Sequence, residues 1–571
     1  MADTPPTREI TRLDFGPRLR GYVAGTLLVD TERALVISEP GKAVTFFAVP
    51  ADDVRSDLLS PAEPSPTALH PGAAHGWDLV VDGDRRAAAA WEYAIDGLDG
   101  YVGLRFDALD SWLQEDEPVA IHPRSSRHRV DAVPSTRHVV IRVGDQVVAD
   151  TRRPVAVFET GLPTRWYIPL ADLDRAALVD LPLHTGCPYK GTASYYAHAS
   201  DPERAVAWYY PDPLPEVAGI AGHVAFFDEL VTTEVDGGRR EPPVTQWTYG
   251  LRDNLRGGGS GAHQGTDSPH DHPRTRPEET PVSITVTDLD ADGALSRRHP
   301  VPPGAFTYEP SERRVRGTID GLDVVDSLAP LLVWEPGSAV PGYVFPRADV
   351  RTDLLAPTAP PAHGRHPQVA QWYNLHLGEE VYEALVFAYD VDGLRDHLGV
   401  DWFRRREAGV EHWYEEDEEI FRHPRDPYKR VDPIRSSRHV EVFVEGVKVA
   451  DSRRPVLLFE TRLPVRYYLP AEDVDFTHLR ETSLSTTCPY KGDARYWSYD
   501  DGTTTRENIV WSYPTPIRAA EAITDLVAFY NEVVDIVVDG VPLERPESEF
   551  SAALGAGAAP AAATPVPAAT P

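Results

Sequence analysis

Sulfur is nearly absent from this chain of 571 residues, which has two cysteines, Cys187 and Cys488, and one methionine. With one cysteine in each half, no disulfide framework can form inside a repeat, and a reduced, cytoplasmic setting is the expectation. One thiol per repeat, without CxxC or HxxxH, also falls short of the four ligands of a structural zinc site, so neither a metal nor a cofactor is expected. Long apolar runs are missing too. No stretch of about 18 apolar residues occurs, and the opening MADTPPTREI lacks a basic segment followed by an apolar one, which predicts neither a membrane span nor a signal peptide. Basic residues are scarce: 56 Lys and Arg stand against 89 Asp and Glu, for a net charge of −33. That sign is repelled by phosphate backbones and anionic headgroups, so neither nucleic acid nor membrane is an expected partner. Neither a G-x-S-x-G elbow nor a Gly-rich phosphate loop is found.

What is present is repetition. STRHVVIRVGDQVVADTRRPVAVFETGLPTRWYIPLADL from Ser135 returns 301 residues later as SSRHVEVFVEGVKVADSRRPVLLFETRLPVRYYLPAEDV from Ser436. Each copy runs into a loop that holds one of the cysteines, TGCPYKGTASYY from Thr185 and TTCPYKGDARYW from Thr486. A second layer, residues 18–59, recurs at 314–355 and shares the order of parts: an Arg-led strand, a turn, a VxD strand, an apolar strand ending in Glu, an aromatic strand and a Pro-x-x-Asp exit. The chain therefore reads a, b, a′, b′. In a and a′, Trp77 and Trp372 stand where b and b′ carry Cys187 and Cys488, and these repeats read as degenerate, their own site lost or modified. The expected bounds are 1–121 for a, 122–249 for b, 282–422 for a′ and 423–550 for b′. A Gly/Ser/Asp/Pro-rich tether at 250–281 and an Ala/Pro tail at 551–571 cannot bury enough apolar area to order themselves. Cutting the tether is expected to leave two independent halves.

Apolar residues recur with period two, as in RHVVIRVGDQVVAD, and the runs are short, β-branched or aromatic, separated by Pro, Gly and Asp. This predicts a mainly β fold of antiparallel, tent- or barrel-like units. One short helix per complete repeat is expected, in PLPEVAGI from Pro213 and PIRAAEAI from Pro516.

Two constellations could carry chemistry. In the CPYKG loop, Lys190 follows Cys187 by three residues and could favour its thiolate, with His184 as a base; Cys488 and Lys491 repeat the pair, but Ser485 replaces the histidine. The plainer reading is a packed thiol and a lysine at a strand entry. The second constellation is cationic and aromatic: Arg137, His138, Arg153, Trp166, Tyr189 and Trp208 recur as Arg438, His439, Arg454, Tyr467, Tyr490 and Trp511. Such a set suits a small anion with a ring to stack. The alternative is cross-strand pairing of these cations with Asp150 and Glu159, or with Asp451 and Glu460. Asp172-x-Asp174 and Asp473-x-Asp475 have the spacing of a metal-holding pair, but they fall at the Pro-x-x-Asp exit, where a turn-capping role is expected.

The motifs RRPVAVFETGLPTRWYIP, TGCPYKGTASYY and IAGHVAFFDELV, with their second copies, resemble the family called domain of unknown function 427. The resemblance implies an all-β tent- or barrel-like unit and carries a nucleotidyltransferase-like label, without an established activity. Three function classes follow. The first is binding of a small anionic, phosphate- or carboxylate-bearing ligand through Arg, Lys and aromatic pockets. The second is an enzyme working through the CPYKG loop by thiolate or Lys-assisted group transfer, and the third is a repeat scaffold for protein interaction. A pocket holding Lys190 and Arg153 together would favour the first two.

Overall fold

The computed structural model describes residues 8–39, 44–62, 70–245, 284–288, 306–336, 338, 340–362, 366–402, 408–548, 550, 551 and 554. The tether at 250–281 and, apart from Ser551 and Leu554, the tail lie outside these residues. The chain forms two compact units. The first comprises residues 1–431 with 487–490 and 517–519, and so holds repeats a, b and a′; the second comprises 432–486, 491–516 and 520–571, most of b′.

Each repeat is a pair of open antiparallel sheets, and none of the sheets closes on itself into a barrel. In b, the four-stranded sheet runs Gln146–Thr151, Val139–Val143, Thr232–Val235 and Gly238–Arg239. The larger sheet has seven strands, in the order Val130–Pro134, Val155–Glu159, Arg165–Pro169, His223–Phe226, Asp201–Tyr209, Gly191–His198 and Leu178–Cys187. In a the larger sheet gains an eighth strand, because Ile284–Asp288 pairs in parallel with Arg8–Asp14.

The alternating pattern explains the sandwich. Val139 and Ile141 point inward from the small sheet and meet Trp166, Ile168, Val224 and Phe226 of the large one. The hairpin of the small sheet turns through two left-handed residues in b′, Glu445 (φ 50°) and Gly446 (φ 80°), the geometry that matches strand twist. A bulge sits at one equivalent place in all four repeats, after Gly21, Ile141, Gly317 and Val442.

The large sheet of b buries its second face as well, under Tyr189, Tyr195 and Tyr210 and a 3₁₀ helix, Pro215–Ile220. Val217 and Ile220 of that helix are fully buried, each contributing about 1.5–3 kcal/mol. Arg518–Ile523 repeats it in b′, so both expected helices are present as short 3₁₀ segments, the first kinked at Val217. Each Pro-x-x-Asp exit is a 3₁₀ turn whose aspartate, Asp53, Asp172, Asp349 or Asp473, accepts a hydroxyl hydrogen bond from Thr31, Thr151, Ser327 or Ser452 at 2.6–2.7 Å. That engagement is structural but is not the expected capping: these turns have no side-chain cap, whereas Asp174 and Asp475 do cap the following turns by accepting from the Ala176 and Thr477 backbone N–H groups. No helix among the described residues is long and apolar enough to cross a membrane.

Candidate functional site

The CPYKG lysines are buried. Lys190, 8% exposed, enters at the turn joining Leu178–Cys187 to Gly191–His198 and donates to Glu159, the last residue of its strand. His128 approaches the other carboxylate oxygen at 3.1 Å and stacks on Tyr189 at 4.1 Å between ring centres. Burial alone would raise the Glu159 pKa, but Lys190 and His128 overcome it and hold the carboxylate at about 2. Burial likewise disfavours the charged Lys190, and Glu159, helped by Cys187 and Tyr167, raises it well above the usual lysine range. Lys491 and Glu460 repeat the pair in the second unit, at the same spacing of 31 residues.

His184 and Cys187 are not brought together. Both lie on one edge strand, three positions apart and therefore on opposite faces; His184 is exposed and its ring contacts Ser194 Oγ at 3.1 Å, while Cys187 is half-buried against the tyrosine-rich core. Arg153 is not near Lys190 in bonding terms either: it pairs with Asp172 at 2.8 Å on the surface, as Arg454 does with Asp473 and Glu472. The expected Lys–Arg pocket mouth is replaced by two separate ion pairs. Cross-strand pairing also takes up Arg137 with Asp236 (2.8 Å), His138 with Asp150 (2.8 Å) and His439 with Asp451 (2.7 Å). His439, Glu441 and Asp451 gather closely enough for a cation, but Lys448 already bonds both carboxylates. Of the aromatics, Trp166 is buried under the Arg137 guanidinium, and Trp208 and Trp511 donate to Tyr167 and Tyr468 at 3.0 and 2.9 Å. Tyr467 is partly buried against the core of b′. The Arg438 backbone N–H donates to Ser436 Oγ at 3.2 Å. Tyr189 and Tyr490 accept backbone N–H bonds from Ser125 and Asp426, both at 2.8 Å. Cys488 is half-buried.

Repeats a and a′ carry a counterpart of the Lys190–Glu159 ion pair. Their strand-end glutamates, Glu39 and Glu335, each meet a histidine 31 residues on, His70 at 3.0 Å and His366 at 2.5 Å, and each accepts a tyrosine hydroxyl, from Tyr93 and Tyr389. His70 stacks on Trp91 and His366 on Phe387. Burial opposes the His366 imidazolium, but the Asp401 carboxylate, 3.7 Å from Nε2, and Glu335, bonded at Nδ1, outweigh it and raise its pKa to about 9.

A cavity of about 290 Å³ opens within the first unit where a′ packs on b. Glu159 lines it, and so do Arg129, Asp131, Arg313, Tyr343 and Arg425. Asp131, fully buried, receives Arg129 at 2.6 Å and Arg313 at 2.7 Å. Burial would raise its pKa, yet these guanidiniums and Arg425 drive it far below the carboxylate range. Arg313 is held from behind by Glu415 at 2.6 Å, whose other oxygen accepts the Tyr343 hydroxyl at 3.0 Å. Two donor groups remain: Arg425 Nη1 stops 4.0 Å from Asp131, beyond hydrogen-bond reach, and Arg129 Nε has no partner. Beside the cavity, two arginines are exchanged reciprocally. Arg129 lies over the Tyr490 ring (5.1 Å) and bonds the Lys429 carbonyl, while Arg430 lies over Tyr189 (5.3 Å) and bonds the His128 carbonyl. Of these residues, sequence reasoning named Glu159, Tyr189 and Tyr490 and missed Arg129, Asp131, Arg313, Tyr343, Glu415, Arg425 and Arg430 as site residues. The only signal was the repeated Arg-Val-Asp at 129–131 and 430–432.

A family model for a domain of unknown function, DUF427, matches residues 13–113, 131–237, 307–398 and 432–540. The four matches cover most of the chain, and the protein belongs to this family, in four tandem copies. No curated protein matches it.

Proposed function

We propose that the protein binds a small anionic ligand, bearing a carboxylate or phosphate, in the cavity between b and a′. The observation that carries this reading is the convergence of three guanidiniums on one carboxylate inside an open cavity, with Arg425 Nη1 and Arg129 Nε left without a hydrogen-bond acceptor. Of the acids around them, Glu159 is matched by Lys190 and Glu312 by Arg240 at 3.0 Å, and Glu309 accepts the Tyr428 hydroxyl at 2.9 Å, so an incoming anion meets the Arg425 guanidinium more than free carboxylates. Tyr428 and Tyr343 supply aromatic walls. Nucleotidyl transfer has less support, because it needs a carboxylate pair able to hold Mg²⁺. Asp172 is bound to Thr151 and Arg153, and Asp174 caps the backbone N–H of Ala176.

Mass spectrometry of small molecules released from the purified full chain tests the reading. An anion should copurify with the wild type and be depleted from Arg425→Gln. Equal retention by the variant, or no anion in either preparation, would sink it.

A further inference from the structure

We infer that the chain has one site of this kind, not one per repeat, and that Arg313, Tyr343 and Glu415 are the positioning residues that create it. The inference rests on the binding reading above and asks where such a site can exist.

The strand registers fix which residues are equivalent. Val315 faces Glu415 across the small sheet of a′, as Leu19 faces Gln114 in a, Val139 faces Val235 in b and Val440 faces Val538 in b′. In the large sheet, Leu332 faces Tyr343 where Val36 faces Phe47, Ala156 faces Trp166 and Leu457 faces Tyr467. Arg313 stands two residues before its strand partner Val315, in the place of Pro17, Arg137 and Arg438. The set is thus Pro, Phe and Gln in a; Arg, Trp and Val in b; Arg, Tyr and Val in b′. Only a′ combines an arginine with a carboxylate and a hydroxyl to hold it.

The combination decides where the guanidinium goes. A buried arginine without a carboxylate beside it turns toward the surface, as Arg137 does in b, where it covers Trp166 and pairs with the half-exposed Asp236. In a′, Glu415 is 1% exposed in its side chain and takes Nη1 of Arg313, while Tyr343 occupies the other carboxylate oxygen. The guanidinium is thereby fixed with Nη2 on Asp131, facing the cavity. Repeat a cannot supply an equivalent charge. Pro17 is buried, Gln114 is buried and neutral, and Phe47 packs against Phe15 and Trp112 at 4.8 and 5.2 Å.

Equilibrium dialysis of the full chain against labelled inorganic phosphate, with a parallel arm in labelled acetate, tests the inference. Binding of whichever anion is taken should saturate at one per chain. Glu415→Gln, which keeps the volume and leaves Arg313 its bond to Asp131, should weaken it about tenfold or more. Tyr343→Phe, which installs the residue of repeat a, should weaken it by less. Saturation at two or more per chain, or unchanged binding by a Glu415→Gln chain that melts like the wild type, would overturn the single-site inference and leave the binding reading standing. Binding of neither anion by the wild type would overturn the binding reading itself and this inference with it.

Discussion

Arg313 and Asp131, 182 residues apart, form a buried ion pair at 2.7 Å that joins repeat a′ to repeat b. Ser135 with Glu416 (2.8 Å) and Arg240 with Glu312 (3.0 Å) add to the same junction. A protein read from its sequence as two halves on a tether therefore has a′ bonded directly to b. Proteolysis within 250–281 should leave fragments that co-elute in size-exclusion chromatography, not two free halves. Arg313→Met would strand Asp131 without one of its buried partners and cost about 3–5 kcal/mol, read from chemical denaturation. Separate elution of the nicked fragments at neutral pH would contradict the junction.

The Lys190–Glu159 pair should behave differently from the Arg153–Asp172 pair, although both join a cation to a carboxylate. Lys190→Met leaves Glu159 buried with only His128, and a loss of about 3–5 kcal/mol is expected, most of it recovered in Lys190→Met with Glu159→Gln. Arg153→Ala removes an exposed pair and should leave the unfolding midpoint nearly unchanged. Equal effects from the two single variants would show that the Lys190 site is solvated.

Local features were legible in the sequence, and distant ones were not. Period-two alternation gave the strands, and the Pro-x-x-Asp exits gave turns, because each depends on neighbours a few residues away; the pairing of Val139–Val143 with Thr232–Val235, about 90 residues on, departs from the meander expected of such runs. The glutamate closing each apolar strand was visible in all four repeats. Its partner was hidden, because a lysine in b and b′ becomes a histidine in a and a′, so Trp77 and Trp372 were read as the sign of a site lost or modified. The cavity was illegible for a different reason. Arg129, Asp131 and Arg425 look like ordinary surface charges in a polar stretch, and only the docking of Arg313 and Glu415 from another repeat makes them a buried cluster.

Cys187 provides a direct test of the nucleophile expectation. His184 lies across the strand from it and bonds Ser194, so His184→Ser should leave the rate of iodoacetamide modification of Cys187 unchanged. A Cys187 nucleophile assisted by His184 would instead slow to the rate of Cys488 in this variant. A several-fold slowing in the variant, followed by peptide mass spectrometry, would restore the histidine as a base.

His366 is buried between Glu335 and Asp401, and its pKa is raised from 6.5 to about 9 in the folded protein. A raised folded-state value means that the imidazolium stabilises the fold fully below about pH 6.5 and that this contribution declines as pH rises toward 9, beyond which it is gone. The difference corresponds to about 3 kcal/mol. Urea midpoints measured from pH 6 to pH 10 should therefore fall for the wild type across that window, and His366→Gln should be less stable at pH 6 and flatter above it. Parallel curves for the two proteins would mean that His366 is neutral in the fold, and that the Glu335 site is held by the Tyr389 hydroxyl alone.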